Sequence, residues 1–288
     1  MKELAFGKVN LCLVLGPLRD DGRHELVTLI ESVSLADELS ITVADSDEVV
    51  CDGVDGDNLV AKALRSLRSS GWDGPPLRVE IRKRVPVAAG MGGGSADAAA
   101  ILRVAERLAP VPAIASIAAG LGADVPSQLE PGLSLGTGAG DEVHARPPLA
   151  PHALVIVPSP HRLSTADVYA EADRLGLPRS QEDLALRVRE LESALGPGAL
   201  LRPELTVNDL EPAAVSLCPD VALALEQVRR AGTDLAFVCG SGPTVAGLCW
   251  GEDAPGRAAD IARTLRDRFP AANEVVPVSS PGSGTITG

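Results

Sequence analysis

Between residues 90 and 95 the chain reads Gly-Met-Gly-Gly-Gly-Ser, four glycines ahead of a hydroxyl. Backbone amides with no side chain in the way can close around an anion, and a helix starting there adds partial positive charge. That chemistry suits a polyphosphate. Two common phosphate templates are excluded by the same residues. A Walker-type loop places a lysine before Ser/Thr, where this chain has Gly94, and the pattern G-x-G-x-x-G meets Ser95 at its last glycine. The residues also admit a plainer part: a glycine turn capped by Ser95, with Asp97 complementing the dipole of the next helix.

Two charged groups stand out elsewhere. Lys8 and Asn10 point to one side of a strand over 6–15, while Val9, Leu11, Leu13 and Leu15 point to the other. The chain has four lysines (Lys2, Lys8, Lys62, Lys83) against 22 arginines, so a lysine inside an apolar strand is informative. It serves either chemistry or protection of a strand edge. Asp124 lies in Gly122-Ala-Asp-Val-Pro126, as a base or as a loop cap before proline. Tyr169 is the sole tyrosine among six aromatic residues. No zinc-type metal site is expected, because His144, His152 and His161 lack ligand spacing. The five cysteines, Cys12, Cys51, Cys218, Cys239 and Cys249, are odd in number and without a C-x-x-C pair, a reduced set of small buried hydrophobes.

The elements that must position these residues follow from periodicity and punctuation. Strands are predicted over 6–15, 24–34, 38–43, 77–82, 153–157, 235–238, 244–249 and 274–278, with a glycine-punctuated strand and turn over 132–140. Helices are predicted over 96–108, 113–121, 165–175, 182–194, 221–231 and 256–268, with another that Asp57 caps and that stops near Gly71. The Pro-rich stretch 146–151 is the expected boundary between a domain of residues 1–150 and one of 151–288, with 279–288 a frayed tail. The mixture is α+β: two domains with mixed, largely antiparallel sheets and helices packed on them.

The 288 residues carry a net charge of −13 and are 45% hydrophobic, which excludes global disorder and disfavours duplex nucleic acid as a partner. Six aromatics are too few for a surface that stacks several bases. Lys8 and Asn10 interrupt the only signal-like stretch, and no apolar run reaches the ~18 residues of a membrane span, so a cytoplasmic protein without a membrane partner is expected.

Three separated stretches together resemble the GHMP kinase superfamily: Gly7-Lys-Val-Asn-Leu11, Pro86-x-x-x-Gly90-Met91-Gly92-Gly93-Gly94-Ser95-Ala96 and Cys239-Gly-Ser-Gly-Pro-Thr244. Five more are similar to the branch that acts on a cytidyl-diphosphate conjugate of methylerythritol, in the non-mevalonate route to isoprenoid precursors. They are Asp21-Gly-Arg-His-Glu-Leu26, Leu121-Gly-Ala-Asp-Val-Pro126, Leu135-Gly-Thr-Gly138, Ser164-Thr-Ala-Asp-Val-Tyr169 and Asn208-Asp-Leu-Glu-Pro212. The resemblance implies ATP-dependent phosphorylation of the 2-hydroxyl of that small molecule, with Asp124 as base and Lys8 as its partner. A nearby ammonium favours an ionised carboxylate and stabilises the charge that develops on transfer.

By the same resemblance Pro86, Val87, Ala88, Ala89, Gly90, Met91, Gly92, Gly93, Gly94, Ser95 and Ala96 cradle ATP. Mg²⁺ travels with the nucleotide, with no protein metal site. Asn10 meets the methylerythritol end, His24 the cytosine edge, and Thr165 and Tyr169 the second wall of the base pocket, while Ser241 and Gly242 line the site from the second domain. Departures from the family pattern are Arg23, where an aromatic usually precedes the histidine, Phe6-Gly7 before Lys8, a short connection over 109–113, and Gln128 in place of an aromatic. A guanidinium plane can also stack on a base and attract a diphosphate. The rival readings are another small-alcohol kinase of the superfamily and a catalytically silent nucleotide-binding protein on the same scaffold.

Overall fold

A computed structural model describes residues 1–51 and 58–278. Strands β1 (Lys2–Leu18) and β2 (His24–Val43) run antiparallel along their whole length, from Lys2 opposite Ser40 to Leu18 opposite His24. At twenty residues β2 is long enough to hold two partners on its other side. Strand β5 (Leu133–Thr137) pairs with Thr28–Glu31, and β4 (Leu77–Arg82) pairs with Glu38–Val43. Strand β3 (Glu48–Cys51) adds in parallel to β4, and β6 (Glu142–Arg146) closes the far edge. A second, wholly antiparallel sheet has the order β10 (Asn273–Val275), β7 (His152–Val157), β9 (Val245–Trp250), β8 (Leu235–Val238). The fold is thus α+β with mixed, largely antiparallel sheets.

Helices α1 (Leu59–Ser69) and α2 (Gly93–Leu108) bury Leu64, Leu67, Ile101 and Leu102 against Leu39, Ile41 and Val79 of the first sheet, and α3 (Ile114–Leu121) packs beside them. In the second half α7 (Asp220–Arg230) and α8 (Ala254–Leu265) cover Val155, Val157 and Val245. Between β7 and β8 lie α4 (Thr165–Arg174), α5 (Gln181–Ala194) and the short α6 (Glu211–Leu217). The two sheets share a core: Val9, Leu11, Val27 and Leu29 meet Leu154, Ile156 and Leu248 in one apolar cluster. Among the described residues no helix is long and apolar enough to cross a membrane.

Several sequence expectations need correction. The strands predicted over 24–34 and 38–43 are one. The interval between them is strand too: the Asp37 carboxylate is buried and accepts backbone N–H groups from Arg84 and Val85, so the strand runs through it. Strand β1 is buried on both faces instead of one, because α2 and α5 pack on it and the segment around Asn208 bridges to Leu13. Helix α2 begins at Gly93, three residues earlier than predicted: Gly92 is its N-cap and Ser95 sits in its first turn, so Ser95 is no cap. Helix α1 is capped by Asn58, whose side chain accepts from the Val60 amide at 2.8 Å. Asp57 and the tail 279–288 lie outside the described residues. Strands β3 and β6 and helix α6 were not predicted. The two strands are only four and five residues long, too short to show a period, and the helix of seven residues opens on Glu-Pro.

Candidate active site

A cleft of about 520 Å³ opens between the glycine loop, β1, the turn joining β5 to β6, the start of α4 and the turn after β8. Lys8, Asn10, residues 86–90 and 92–95, Asp124, Thr165, Tyr169 and Ser241 line it. Positions 7 to 11 of β1 place the first two. The register with β2 slips between Phe6 and Lys8 and again between Asn10 and Cys12, and such irregularities re-aim side chains. The Lys8 amide leaves the ladder to donate to the Met91 carbonyl at 3.0 Å, tying strand to loop.

The Lys8 side chain is buried and its ammonium faces two oxygens. Nζ lies 2.8 Å from Asn10 Oδ1 and 3.2 Å from Asp124 Oδ2. Asn10 is itself oriented: its amide donates to Thr28 Oγ1 at 2.8 Å, and that hydroxyl donates to the Cys12 carbonyl. Asp124 arrives on the turn after α3, where its carbonyl accepts from the Ser127 hydroxyl at 2.9 Å. Its side chain is about one-third exposed to the cleft, against 5% for Lys8. A carboxylate open to an incoming hydroxyl, beside a fixed ammonium, can take a proton and have the resulting charge balanced.

The loop approaches this pair closely. Gly92 has φ of +66°, and a Cβ there would lie 3.0 Å from Lys8 Cγ and Cε. At Gly90, φ +77°, a Cβ would lie 2.0 Å from the Cys239 carbonyl oxygen. A side chain at Gly90 would collide with the Cys239 backbone, and one at Gly92 would crowd Lys8 from a left-handed backbone conformation. Ala96 N–H is the first amide of α2 to bond back, to the Gly92 carbonyl at 2.8 Å, so the amides of 93–95 are the orphans of the helix start. They lie on the cleft wall, where an anion would satisfy them.

Beneath the loop is a buried ionic group that sequence reasoning missed. Lys83 Nζ contacts Asp37 and lies 2.7 Å from Asp97 Oδ2. Burial pushes the Asp97 carboxyl up to about 7, with Lys83 opposing and Asp37 adding to the rise. Burial pulls Lys83 down, but the two carboxylates outweigh it and the ammonium ends above its ordinary value. Lys83, Asp97, Cys51, Asn58 and Leu59 all line the cleft, although sequence reasoning assigns Asp97 only a helix-dipole part and the others no part in a site. Nothing in their spacing marks them, because chain folding alone sets α1 opposite the loop.

The opposite end of the cleft is apolar and aromatic. Tyr169 projects from α4, and burial, with the charge of Asp124 adding, pushes its phenol far above the ordinary value. Thr165 at the start of α4 is 3.1 Å from Ser241 Oγ. His24 stands beside Tyr169, ring centroids 5.6 Å apart and tilted by 40°. Its Nδ1 is 2.9 Å from the Gly16 carbonyl, so Nδ1 donates and carries hydrogen; Nε2 is 3.3 Å from Asp173. His24 is buried and does not line the cleft. Arg23 is exposed and bonded to Asp21 at 3.0 Å and Asp141 at 3.1 Å, also away from the wall. Met91 and Ala96 face the core, and Gly242 packs on Val238 and Ala214, leaving Gly240 and Ser241 as the members of that turn on the cleft. Among the described residues, no three His, Cys, Asp or Glu side chains converge to hold a metal ion.

Comparisons with known proteins agree along the chain. The family of GHMP kinases N terminal domains matches residues 58–132, and that of GHMP kinases C terminal domains matches 188–270. A 4-diphosphocytidyl-2-C-methyl-D-erythritol kinase of Corynebacterium efficiens is 38% identical over 97% of this chain and 93% of its own. One of Mycolicibacterium gilvum is 42% identical over 90% and 84%. Among solved structures, a 4-(cytidine 5'-diphospho)-2C-methyl-D-erythritol kinase superposes with a TM-score of 0.74 at 29% identity, covering 97% of this chain and all of that one. A homoserine kinase from Cytophaga hutchinsonii, 18% identical with a TM-score of 0.67, shares the fold.

Proposed function

The chain belongs to the 4-diphosphocytidyl-2-C-methyl-D-erythritol kinases of the GHMP kinase family, and we propose that its cleft divides the reaction between two ends that meet at Lys8 and Asp124. It transfers the γ-phosphoryl group of ATP to the 2-hydroxyl of 4-diphosphocytidyl-2-C-methyl-D-erythritol. The amides of 93–95, the Ser95 hydroxyl and the start of α2 hold the phosphates. Asp124 accepts the proton of the 2-hydroxyl as that oxygen bonds to phosphorus and the bond from phosphorus to the ADP oxygen breaks. Lys8 stays charged and balances the growing negative charge, and Asn10 keeps the ammonium aimed. A Mg²⁺ ion bound with the nucleotide would neutralise charge on the triphosphate.

At the other end Tyr169 stacks on the cytosine, with Thr165 and Ser241 beside it. His24 stands beside the Tyr169 ring and off the cleft wall, with Nδ1–H committed to Gly16 and Nε2 facing Asp173, so it supports that ring and does not read the base edge. The observation that carries the reading is the 3.2 Å contact between Lys8 and Asp124, set between the glycine loop and the Tyr169 wall. ADP release measured with the full substrate and with methylerythritol lacking the cytidylyl group tests it. Turnover of the full substrate should dominate. Equal turnover of both would move the chain to the small-alcohol kinases without a cytidyl pocket. Nucleotide binding with no ADP release on either would make it a silent binding protein.

A further inference from the structure

The glycine loop must hold its amides on one anion, yet four glycines in six residues give it little stiffness of its own. The structure supplies the stiffness from below. On the entering side, Asp37 of β2 accepts the Arg84 and Val85 amides through one carboxylate oxygen, 2.8 Å in the latter case, and contacts Lys83 Nζ through the other. On the leaving side Asp97, in the first turns of α2, accepts from the same Nζ at 2.7 Å. Asp37 and Asp97 are both buried, and Asp97 keeps its second oxygen without a partner. A Cβ at Gly93, the first helical residue, would lie 3.3 Å from Lys83 Nζ, so the ammonium sits directly under the point where loop becomes helix.

We propose that Asp37, Lys83 and Asp97 form a buried clamp joining the two stems of the glycine loop, and that Asp97 is a positioning residue for the nucleotide through Lys83. The proposal rests on the reading that the loop holds ATP phosphates. One ammonium shared by two carboxylates fixes the distance between 83–85 and 97, which is the span the loop must close. A buried, charge-assisted pair holds that span better than surface contacts do, because losing one member strands the others without solvent. The phosphate amides of 93–95 lie between the two anchors, so their aim depends on both.

Asp97→Asn keeps the shape of the side chain and, in an assay at pH 8 where the carboxyl is ionised, removes its charge. Affinity for a non-hydrolysable ATP analogue should fall about tenfold, with KM for ATP following, while kcat and the KM of the cytidyl substrate stay within about twofold. In a Lys83→Met background the same substitution should add nothing, because Asp97 acts through Lys83. The split between the two KM values separates positioning from loss of fold, which would lower binding at both ends. An Asp97→Asn protein that binds the analogue as the wild type does would overturn the clamp. So would effects of Asp97→Asn and Lys83→Met that simply multiply, or a loss shared equally by both substrates. A wild-type protein that turns over its substrates but shows no dependence of analogue binding on Gly92→Val would overturn the loop reading beneath it.

Discussion

The two ends of the cleft are built on different principles. The end proposed for the phosphates is made of backbone, glycine amides and a helix start, with buried carboxylates and Lys83 beneath it. The end proposed for the cytidyl group is made of side chains from β2 and α4, with buried His24 beside half-buried Tyr169 and with Arg23, Asp21 and Asp141 paired in solvent. Burial decides what each pair is worth. A charge that loses its partner in the interior leaves the other desolvated, whereas an exposed pair contributes between nothing and ~1 kcal/mol. The end that handles phosphate should therefore respond sharply to single substitutions, and the rim of the recognition end should absorb them.

The point where the ends meet should respond most. Asp124→Ala removes the base while leaving the loop, Lys8 and the Tyr169 wall in place. We expect kcat to fall by about two to four orders of magnitude, with nucleotide affinity nearly unchanged. Single-turnover kinetics beside analogue binding would check this. Activity close to wild type would remove Asp124 from the chemistry and leave the comparison without its centre.

Backbone chemistry restricts residue type, so the phosphate end is the more legible in sequence. Only glycine serves where a Cβ would lie 2.0 Å from a carbonyl, and Lys8 and Asn10 show their common side by simple alternation. The supports are not legible. Asp37 falls in the gap between two expected strands, because sequence cannot tell that two amides forty-seven and forty-eight positions later will satisfy it. Lys83 and Asp97 look like an ordinary strand end and an ordinary first-turn acid. At the cytidyl end the tyrosine is marked by its rarity. The surroundings of His24 depend on Gly16 and Asp173, 149 positions away in the second case, which no local pattern connects.

The difference in burial also predicts where pH is felt. Asp97 titrates at about 7 in the folded chain against an ordinary value of 3.8, because burial disfavours its charged form. Between those values the native state holds a proton that the unfolded chain has released, so this group favours the fold at low pH and loses that contribution as pH rises toward 7. Above 7 its ionisation opposes folding by up to a few kcal/mol. The stability of the wild type minus that of Asp97→Asn should thus decline from pH 4 to pH 8, as denaturant unfolding would measure. A flat difference would mean that the carboxylate is not desolvated and would weaken the contrast between the ends.

At the recognition end the ring should matter more than the rim. Tyr169→Ala deletes the stacking wall, and one base on one aromatic is worth about 1–3 kcal/mol. KM for the cytidyl substrate should rise roughly tenfold or more, with KM for ATP unchanged. Equal losses for both substrates would mean that Tyr169 supports the fold and not the base, since it also packs with Val168, Leu210 and Ala213.

Arg23 gives the smallest expected effect and separates two uses of one side chain. Its guanidinium bonds Asp21 and Asp141, and the second contact joins the turn after β1 to the turn between β5 and β6. The latter turn also holds Ala139 and Gly140 on the cleft wall. If Arg23 acts only through that latch, Arg23→Ala and Asp141→Ala should raise the cytidyl KM alike, by less than about fivefold. Added salt should shrink both effects, because exposed pairs are screened over ~8–10 Å at physiological strength. If the guanidinium instead leaves Asp141 to stack on the base, Arg23→Ala should approach Tyr169→Ala in size while Asp141→Ala stays near wild type. Measuring the two variants side by side at low and high salt decides between a rim that fastens two turns and a plane that replaces the missing aromatic.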